Sequence, residues 1–270
     1  MNHLGINAND LYAILEDFFR PQECTDIFKL GVQYHNTDFI KKIYTSTFAS
    51  VEVIEEVLSR QERDVMIFSH HPVPPKTNEN NPYPEIPTNL IKRLKDSQVS
   101  LFSYHIPLDR HNPYSPSYTL ALALGLSPYD TFYFQNGVKM GELCQGDYKD
   151  IDDISSELER LFGHAVKSYC YGDAKIKNNR IAIMSGCAKN LDAYTYLYKK
   201  GVNTFITGVT NKEISWVPAI HEQAKANGVN LIGGTHYSTE KFAPITLVQY
   251  FIGLGIPCEF IDEMPNMSDI

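Results

Sequence analysis

The 270-residue sequence predicts an α/β fold of two related units, each a mixed sheet flanked by helices. Three observations carry that prediction. Short apolar runs alternate with stretches of helical period, as parallel βα units require. The order of elements in the first half returns in the second. The runs also end in histidine-bearing or glycine-bearing tips, at the strand ends where open α/β sheets collect ligands.

In order, residues 42–47 read as a strand, 51–60 as a helix, 65–69 as an apolar strand, 89–95 as a helix and 99–104 as another strand. A helix over 118–124 closes this unit, with Gly125 placed to cap it. A middle region follows, with a strand over 140–145 and an amphipathic helix over 151–162. Asp152 and Asp153 favour that helix's N-terminal dipole. Residues 175–180 form a basic, Asn-containing turn. The second half then repeats the first: a strand over 180–184, a helix over 190–199 stopped at Gly201, a strand over 204–207, a helix over 217–226 and a strand over 230–232. A helix over 244–251 and a strand over 258–261 finish the chain. We divide it into a first domain of residues 1–128 with 231–270 and a second of 129–230. The loop Pro72–Pro87, dense in proline and asparagine, is the candidate for a flap beside the site.

The tips hold the chemistry. The strand ending Ile67-Phe68-Ser69 runs into His70-His71-Pro72, and two later tips carry His105 with Asp109 and His236 with Glu240. Neighbouring histidines inside a strand point to opposite faces. They converge only where the strand ends, and Pro72, Pro74 and Pro75 end it. Each His-x-x-x-acid pair places both side chains on one side of a turn opening a helix. Matching the halves by element order sets His105 and Asp109 against His236 and Glu240, and His70-His71 against Thr207-Gly208. Imidazole and carboxylate together suit a borderline divalent metal, and this supply of donors suits two ions better than one.

Composition narrows the function classes. With 43 % hydrophobic and 21 % charged residues the chain buries a substantial core. A net charge of −8 without any Lys/Arg cluster disfavours nucleic acid, whereas a small anionic substrate is compatible with bound cations. The five cysteines are scattered, with no Cys-x-x-Cys spacing, as expected of reduced thiols. No segment reads as a signal peptide or a membrane span, so a cytoplasmic protein is expected. There is no phosphate-loop motif, dinucleotide fingerprint or Gly-x-Ser-x-Gly elbow. Ser185-Gly186-Cys187 reads as a tight turn rather than a nucleophile, and Trp216 as a packing residue.

Strand-His-His-Pro, Ser103-Tyr-His-Ile-Pro-Leu-Asp109, Arg180-Ile-Ala-Ile-Met-Ser-Gly186, Phe205-Ile-Thr-Gly208 and Thr235-His-Tyr-Ser-Thr-Glu240 occur in one order along the chain. In this the sequence resembles the NIF-three-like dinuclear metal-centre proteins, over about residues 6–262. The resemblance implies a toroidal homohexamer with two divalent ions per subunit and the metal site in the cleft between the two units; mixed nitrogen and oxygen donors are compatible with zinc, manganese, iron or nickel. It places the metal ligands at His70, His71, Asp109, His236 and Glu240. His105 and Tyr237 become the candidate catalytic acids. Some relatives are labelled GTP cyclohydrolases, which implies metal-assisted hydrolysis of a nucleotide or another phosphorylated small molecule. A non-enzymatic metal-binding or regulatory scaffold is the competing class. Three departures from the family pattern stand out. Residues 44–48 lack the usual Asp, Val209 replaces a Glu, and Thr235 replaces a Gly. The chain also lacks the long insertion found in some members.

Overall fold

The computed structural model describes residues 5–74 and 84–270. Residues 75–83, most of the expected flap, lie outside the described residues. The chain divides into two compact units, one comprising residues up to Leu108 with Ala243–Glu263, the other Asp109–Phe242 with Met264–Ile270.

In the first unit, β1 (Ile6–Asn7) pairs antiparallel with β3 (Phe39–Ile40). Between them α1 (Ala8–Phe19) is capped by Asn7, whose side chain accepts from the Asn9 N–H at 2.9 Å. Ala8, Leu11, Leu15 and Phe19, three or four residues apart, form its buried stripe. The unit also contains β2 (Gly31–Tyr34), β4 (Lys42–Phe48), α2 (Val51–Ser59), β5 (Val65–His71), α3 (Thr88–Asp96), β6 (Val99–Ser103) and, late in the chain, nearly all of the helix Phe242–Gly253. The five-stranded sheet runs Cys258–Phe260, β4, β5, β6, β2. All its strands are parallel except β2, which is antiparallel to β6. Helices α2 and α3 pack Val53, Ile54, Val57, Leu90 and Leu94 onto Ile67 and Leu101. Every residue of β5 is buried, the pattern of a strand covered on both faces. A single helical turn, α4 (Ile106–Asp109), follows β6.

The second unit contains α5 (Pro116–Ala123), β7 (Ser127–Gln135), β8 (Val138–Gln145), α6 (Ile151–Phe162), β9 (Lys167–Tyr169), β10 (Arg180–Met184), α7 (Asp192–Lys199), β11 (Thr204–Thr207), α8 (Val217–Ala226), β12 (Asn230–Gly233) and the short α9 (His236–Glu240). Its sheet runs β7-β8-β10-β11-β12-β9, with β10, β11 and β12 parallel and the outer strands antiparallel. Core residues from α5, α6 and the strands, among them Leu120, Ile154, Leu158, Ile181, Ile183 and Ile206, fill one face.

Each unit is therefore a mixed sheet flanked by helices, as the alternation of apolar runs and helical stretches predicts. The helices at 151–162 and 217–226 and the strands at 180–184 and 204–207 occupy the predicted residues. Gly125, at φ +67°, ends α5, and Gly201, at φ +66°, follows α7. Helix α1 and strands β2, β7 and β9 were not expected. The three strands lie at sheet edges and pair antiparallel, and polar residues along them leave no apolar run to read. All five cysteines are free thiols. Among the described residues no helix is long and apolar enough to cross a membrane.

Candidate metal centre

Each unit assembles its own set of donors at the carboxyl ends of its parallel strands. In the first unit, β5 ends at His71, and the rings of His70 and His71 converge to 4.3 Å between centroids. His105, just beyond the end of the neighbouring β6, brings its ring to 4.6 Å from His71 and 5.5 Å from His70. One donor nitrogen from each of the three lies within 4.8 Å of the others.

The imidazoles are aimed by their second nitrogens. His70 Nδ1 lies 3.1 Å from the Tyr104 carbonyl, and the Ser103 hydroxyl donates to the His70 carbonyl at 3.0 Å. His105 Nδ1 lies 3.0 Å from Asp26, whose other oxygen accepts the Ile106 N–H at 2.8 Å. Burial alone would raise the Asp26 carboxyl. The His105 ring and the N–H groups of Phe28 and Ile106 outweigh burial and hold it below the ordinary value. Phe28 and Phe48 pack edgewise or tilted on the cluster, at 5.2 Å from His105 and 5.1 Å from His71.

In the second unit, α9 begins at His236, and its one turn sets Glu240 four residues on, on the same side. His236 Nε2 and Glu240 Oε1 are 3.0 Å apart, both side chains being almost wholly buried. The buried Asp109, the last residue of α4 and the first of this unit, has a carboxylate oxygen within 4.8 Å of Glu240. Burial would lower His236, but the Glu240 carboxylate and Cys187 overcome it, so the imidazole is held well above its ordinary pKa. His236 Nδ1 meets the Cys187 sulfur at 3.6 Å, and its backbone N–H donates to Asp269 at 3.0 Å.

Two backbone positions make room for this pair. Gly186 has φ +69°, and a Cβ there would fall 2.1 Å from Glu240 Oε1 and 3.1 Å from His236 Nε2. The turn Ser185-Gly186-Cys187 is thus a cradle for the carboxylate, and the Gly208 N–H donates to the Gly186 carbonyl at 2.9 Å. Thr235 adopts φ +66°, ψ 152°, a region that glycine alone enters without strain. Its hydroxyl caps α9 by accepting from the Ser238 N–H at 3.1 Å.

The donor chemistry fits divalent ions. Three imidazoles, two carboxylates and a fourth imidazole are borderline-to-hard ligands. Holding one nitrogen of a ligating histidine on a carbonyl or carboxylate is the usual supporting arrangement. Tyr237 lies buried beside His236, with the Lys241 ammonium 5.8 Å from its ring.

The sequence matches the DUF34/NIF3 family (NGG1p interacting factor 3) across residues 6–266. The chain belongs to this family. A Chlamydia trachomatis serovar D protein named GTP cyclohydrolase 1 type 2 homolog is 25 % identical over 254 residues, spanning 93 % of this chain and 95 % of its own. Among solved structures, a protein called ybgI, described as of unknown function, superposes with TM-score 0.79 at 20 % identity, covering 97 % of this chain and 99 % of its own. One from Thermus thermophilus gives 0.76 at 22 % identity, covering 97 % and 100 %. At such identities the structural likeness establishes the fold.

In this DUF34/NIF3 chain, Asp26, Gly186, Cys187 and Asp269 serve the donors without having been picked out as such from sequence. Asp26 is 79 residues from His105 in an irregular segment. Only Gly186 had a signal, a glycine two residues after an apolar strand. Trp216 packs with Val209, Ile214 and Val217, as a packing residue should.

Proposed function

We propose that the two donor sets serve one dinuclear divalent-metal centre, held by His70, His71, Asp109, His236 and Glu240, and that the protein is a metal-dependent hydrolase of a nucleotide. The observation that carries this reading is the cluster of three imidazoles in one unit and, in the other, a Glu240 carboxylate within reach of both Asp109 and His236. Neither set alone supplies enough donors for two ions, and together they do. The nucleotide class comes from the GTP cyclohydrolase name borne by relatives.

Bound divalent ions would polarise a substrate oxygen and acidify a water. The chain's own residues do the rest. Asp26 locks His105 in one orientation, which fixes where its remaining nitrogen can take or give a proton. Tyr237, buried next to His236, offers a second protonated group. Phe28 and Phe48 limit water around the histidines. A homohexameric ring is part of the same proposal and is read directly by light scattering.

The test is metal content per subunit in protein purified without added metal, for the wild type, His71→Ala and Glu240→Ala. About two equivalents, falling in both variants, supports the centre, and nucleotide hydrolysis by the loaded wild type supports the activity. Negligible metal, or metal unchanged in both variants, overturns the proposal. Full occupancy without turnover of any nucleotide would leave a metal-holding scaffold in its place.

A further inference from the structure

The run Asn266-Met-Ser-Asp269 closes into a single short turn, Met267–Asp269. Asn266 makes that turn: its side chain accepts the Ser268 N–H at 3.2 Å and its carbonyl accepts the Asp269 N–H at 3.1 Å. Met264–Ile270 belongs to the second unit, although Ala243–Glu263 before it belongs to the first. Its two methionines do not hold it there, Met264 being 91 % exposed and Met267 44 %. The docking is polar instead. Asp269 is buried, and a buried carboxylate is tolerated only where hydrogen bonds replace its water.

Those bonds grip two places. The Asp269 carbonyl accepts the N–H groups of Thr210 at 2.8 Å and Asn211 at 2.9 Å, and Asn211 Nδ2 donates to the Ser268 carbonyl at 3.0 Å. Thr210 lies two residues after Gly208, whose N–H donates to the carbonyl of Gly186, the residue that cradles Glu240. The gripped loop is itself braced, since His221 Nε2 donates to the Thr210 carbonyl at 2.8 Å. The Asp269 carboxylate supplies the other grip. Its Oδ1 accepts from Asn266 Nδ2 at 3.1 Å, which orients the group, and its Oδ2 accepts the His236 N–H at 3.0 Å.

That second grip falls on a strained turn. Thr235 holds φ +66°, ψ 152°, and a residue stays in such a conformation only where its surroundings over-determine it. One restraint is its own hydroxyl, which accepts the Ser238 N–H. Asp269 is the other. Relaxing Thr235 rotates the peptide that joins it to His236, and the N–H of that peptide is the group Asp269 holds.

We propose that Asp269 is a positioning residue for His236, and that Asn266–Asp269 is a clasp which keeps the Thr235–His236 turn in the conformation that sets His236 beside Glu240. Clasp docking and metal binding are then coupled, each strengthening the other by the same factor. The coupling rests on the reading of His236 and Glu240 as metal donors, whereas the clasp itself does not.

Two measurements on the full chain separate these parts. In protein stripped with a chelator, amide hydrogen exchange across residues 236–241 should be about tenfold faster in Asp269→Ala than in the wild type, the worth of one hydrogen bond to a charged group. Asp269→Asn, which keeps an oxygen acceptor, should fall between them. In competition for Zn²⁺ against a chromophoric chelator, Asp269→Ala should lose about 10–100-fold in affinity, the usual cost of misorienting a ligand. Adding Thr235→Gly should restore most of that loss, because glycine holds a positive φ unaided, and it would not repair lost packing. Zn²⁺ should in turn slow exchange across residues 264–270. Wild-type exchange in Asp269→Ala overturns the clasp. Unchanged Zn²⁺ affinity in Asp269→Ala, or a loss that Thr235→Gly fails to restore, overturns the positioning role. A wild type that binds no Zn²⁺ removes the metal centre and the coupling with it, and exchange across residues 236–241 still decides the clasp.

Discussion

Gly186→Ala probes the donor pair without touching a donor. Two costs follow. An L-residue at φ +69° costs about 1–2 kcal/mol of backbone strain, and this appears in metal-free protein. The second cost falls on the carboxylate. A Cβ 2.1 Å from Glu240 Oε1 and 3.1 Å from its Cδ forces that group to turn, which breaks its 3.0 Å approach to His236. Misorienting a ligand typically lowers metal affinity about 10–100-fold. That corresponds to about 1.4–2.8 kcal/mol. Gly125→Ala is the matched control. Its φ is +67°, and a Cβ there meets nothing within 4 Å, so it carries the backbone strain alone. Urea unfolding in the presence of a chelator should show similar losses for both variants. Chelator competition should show weakened metal binding for Gly186→Ala only. Wild-type affinity in Gly186→Ala would refute the assignment of Glu240 as a donor, and equal weakening in both variants would reduce the effect to backbone strain.

The strained Thr235 separates two opposed effects. Thr235→Ala keeps the strain and removes the cap, costing about 0.5–2 kcal/mol, whereas Thr235→Gly also relieves the strain. Thr235→Gly should therefore be the more stable of the two by urea unfolding, and the reverse order would refute the strain. Asp26→Asn keeps the shape but removes the charge that orients His105. Metal affinity measured by chelator competition should fall about 10–100-fold, and an unchanged value would detach His105 from the centre. Glu263 accepts the Phe48 N–H at 2.9 Å, yet burial pushes its carboxyl up to about 8 from an ordinary 4.5. Its protonated form is thus favoured by folding. The stability it contributes is complete below about 4.5 and lost as pH rises through about 8. Glu263→Gln should flatten the stability profile across that window, and a profile unchanged by the substitution would show that Glu263 is not its source.

The fold was legible where burial writes a simple pattern. Strands covered on both faces, such as β5 and β10, carry apolar runs, Val65–Phe68 and Ile181–Met184. The helices that cover them carry apolar residues at helical spacing, as Ile151, Ile154, Leu158 and Phe162 do in α6. Strand β7 was illegible for the opposite reason. In Ser-Pro-Tyr-Asp-Thr-Phe-Tyr-Phe-Gln only Tyr133 is buried, so neither alternation nor a run stands out. The histidines were legible because an imidazole at the close of an apolar run has no packing role to explain it. Their support was not. Asp26 reaches His105 across 79 residues, and Asp269 reaches the His236 N–H from the far end of the chain, contacts that no local spacing encodes.

The departures from the family pattern sort differently once each has its surroundings. Val209 is fully buried and packs on Ile214 and Val217, so it is a core residue here. A carboxylate at that position would enter an apolar cluster at a cost of several kcal/mol without a partner. Thr235 replaces the flexibility of glycine with a cap, retaining the backbone conformation that brings His236 and Glu240 to one side. At the end of β4, where the family carries an Asp, the buried hydroxyls of Ser46 and Thr47 have no hydrogen-bond partner among the described residues. An alcohol is a far weaker metal ligand than a carboxylate. None of the three changes removes one of the six tip residues, so divergence has fallen on the groups around the donors. Specificity within such a scaffold then depends on neighbouring polar groups.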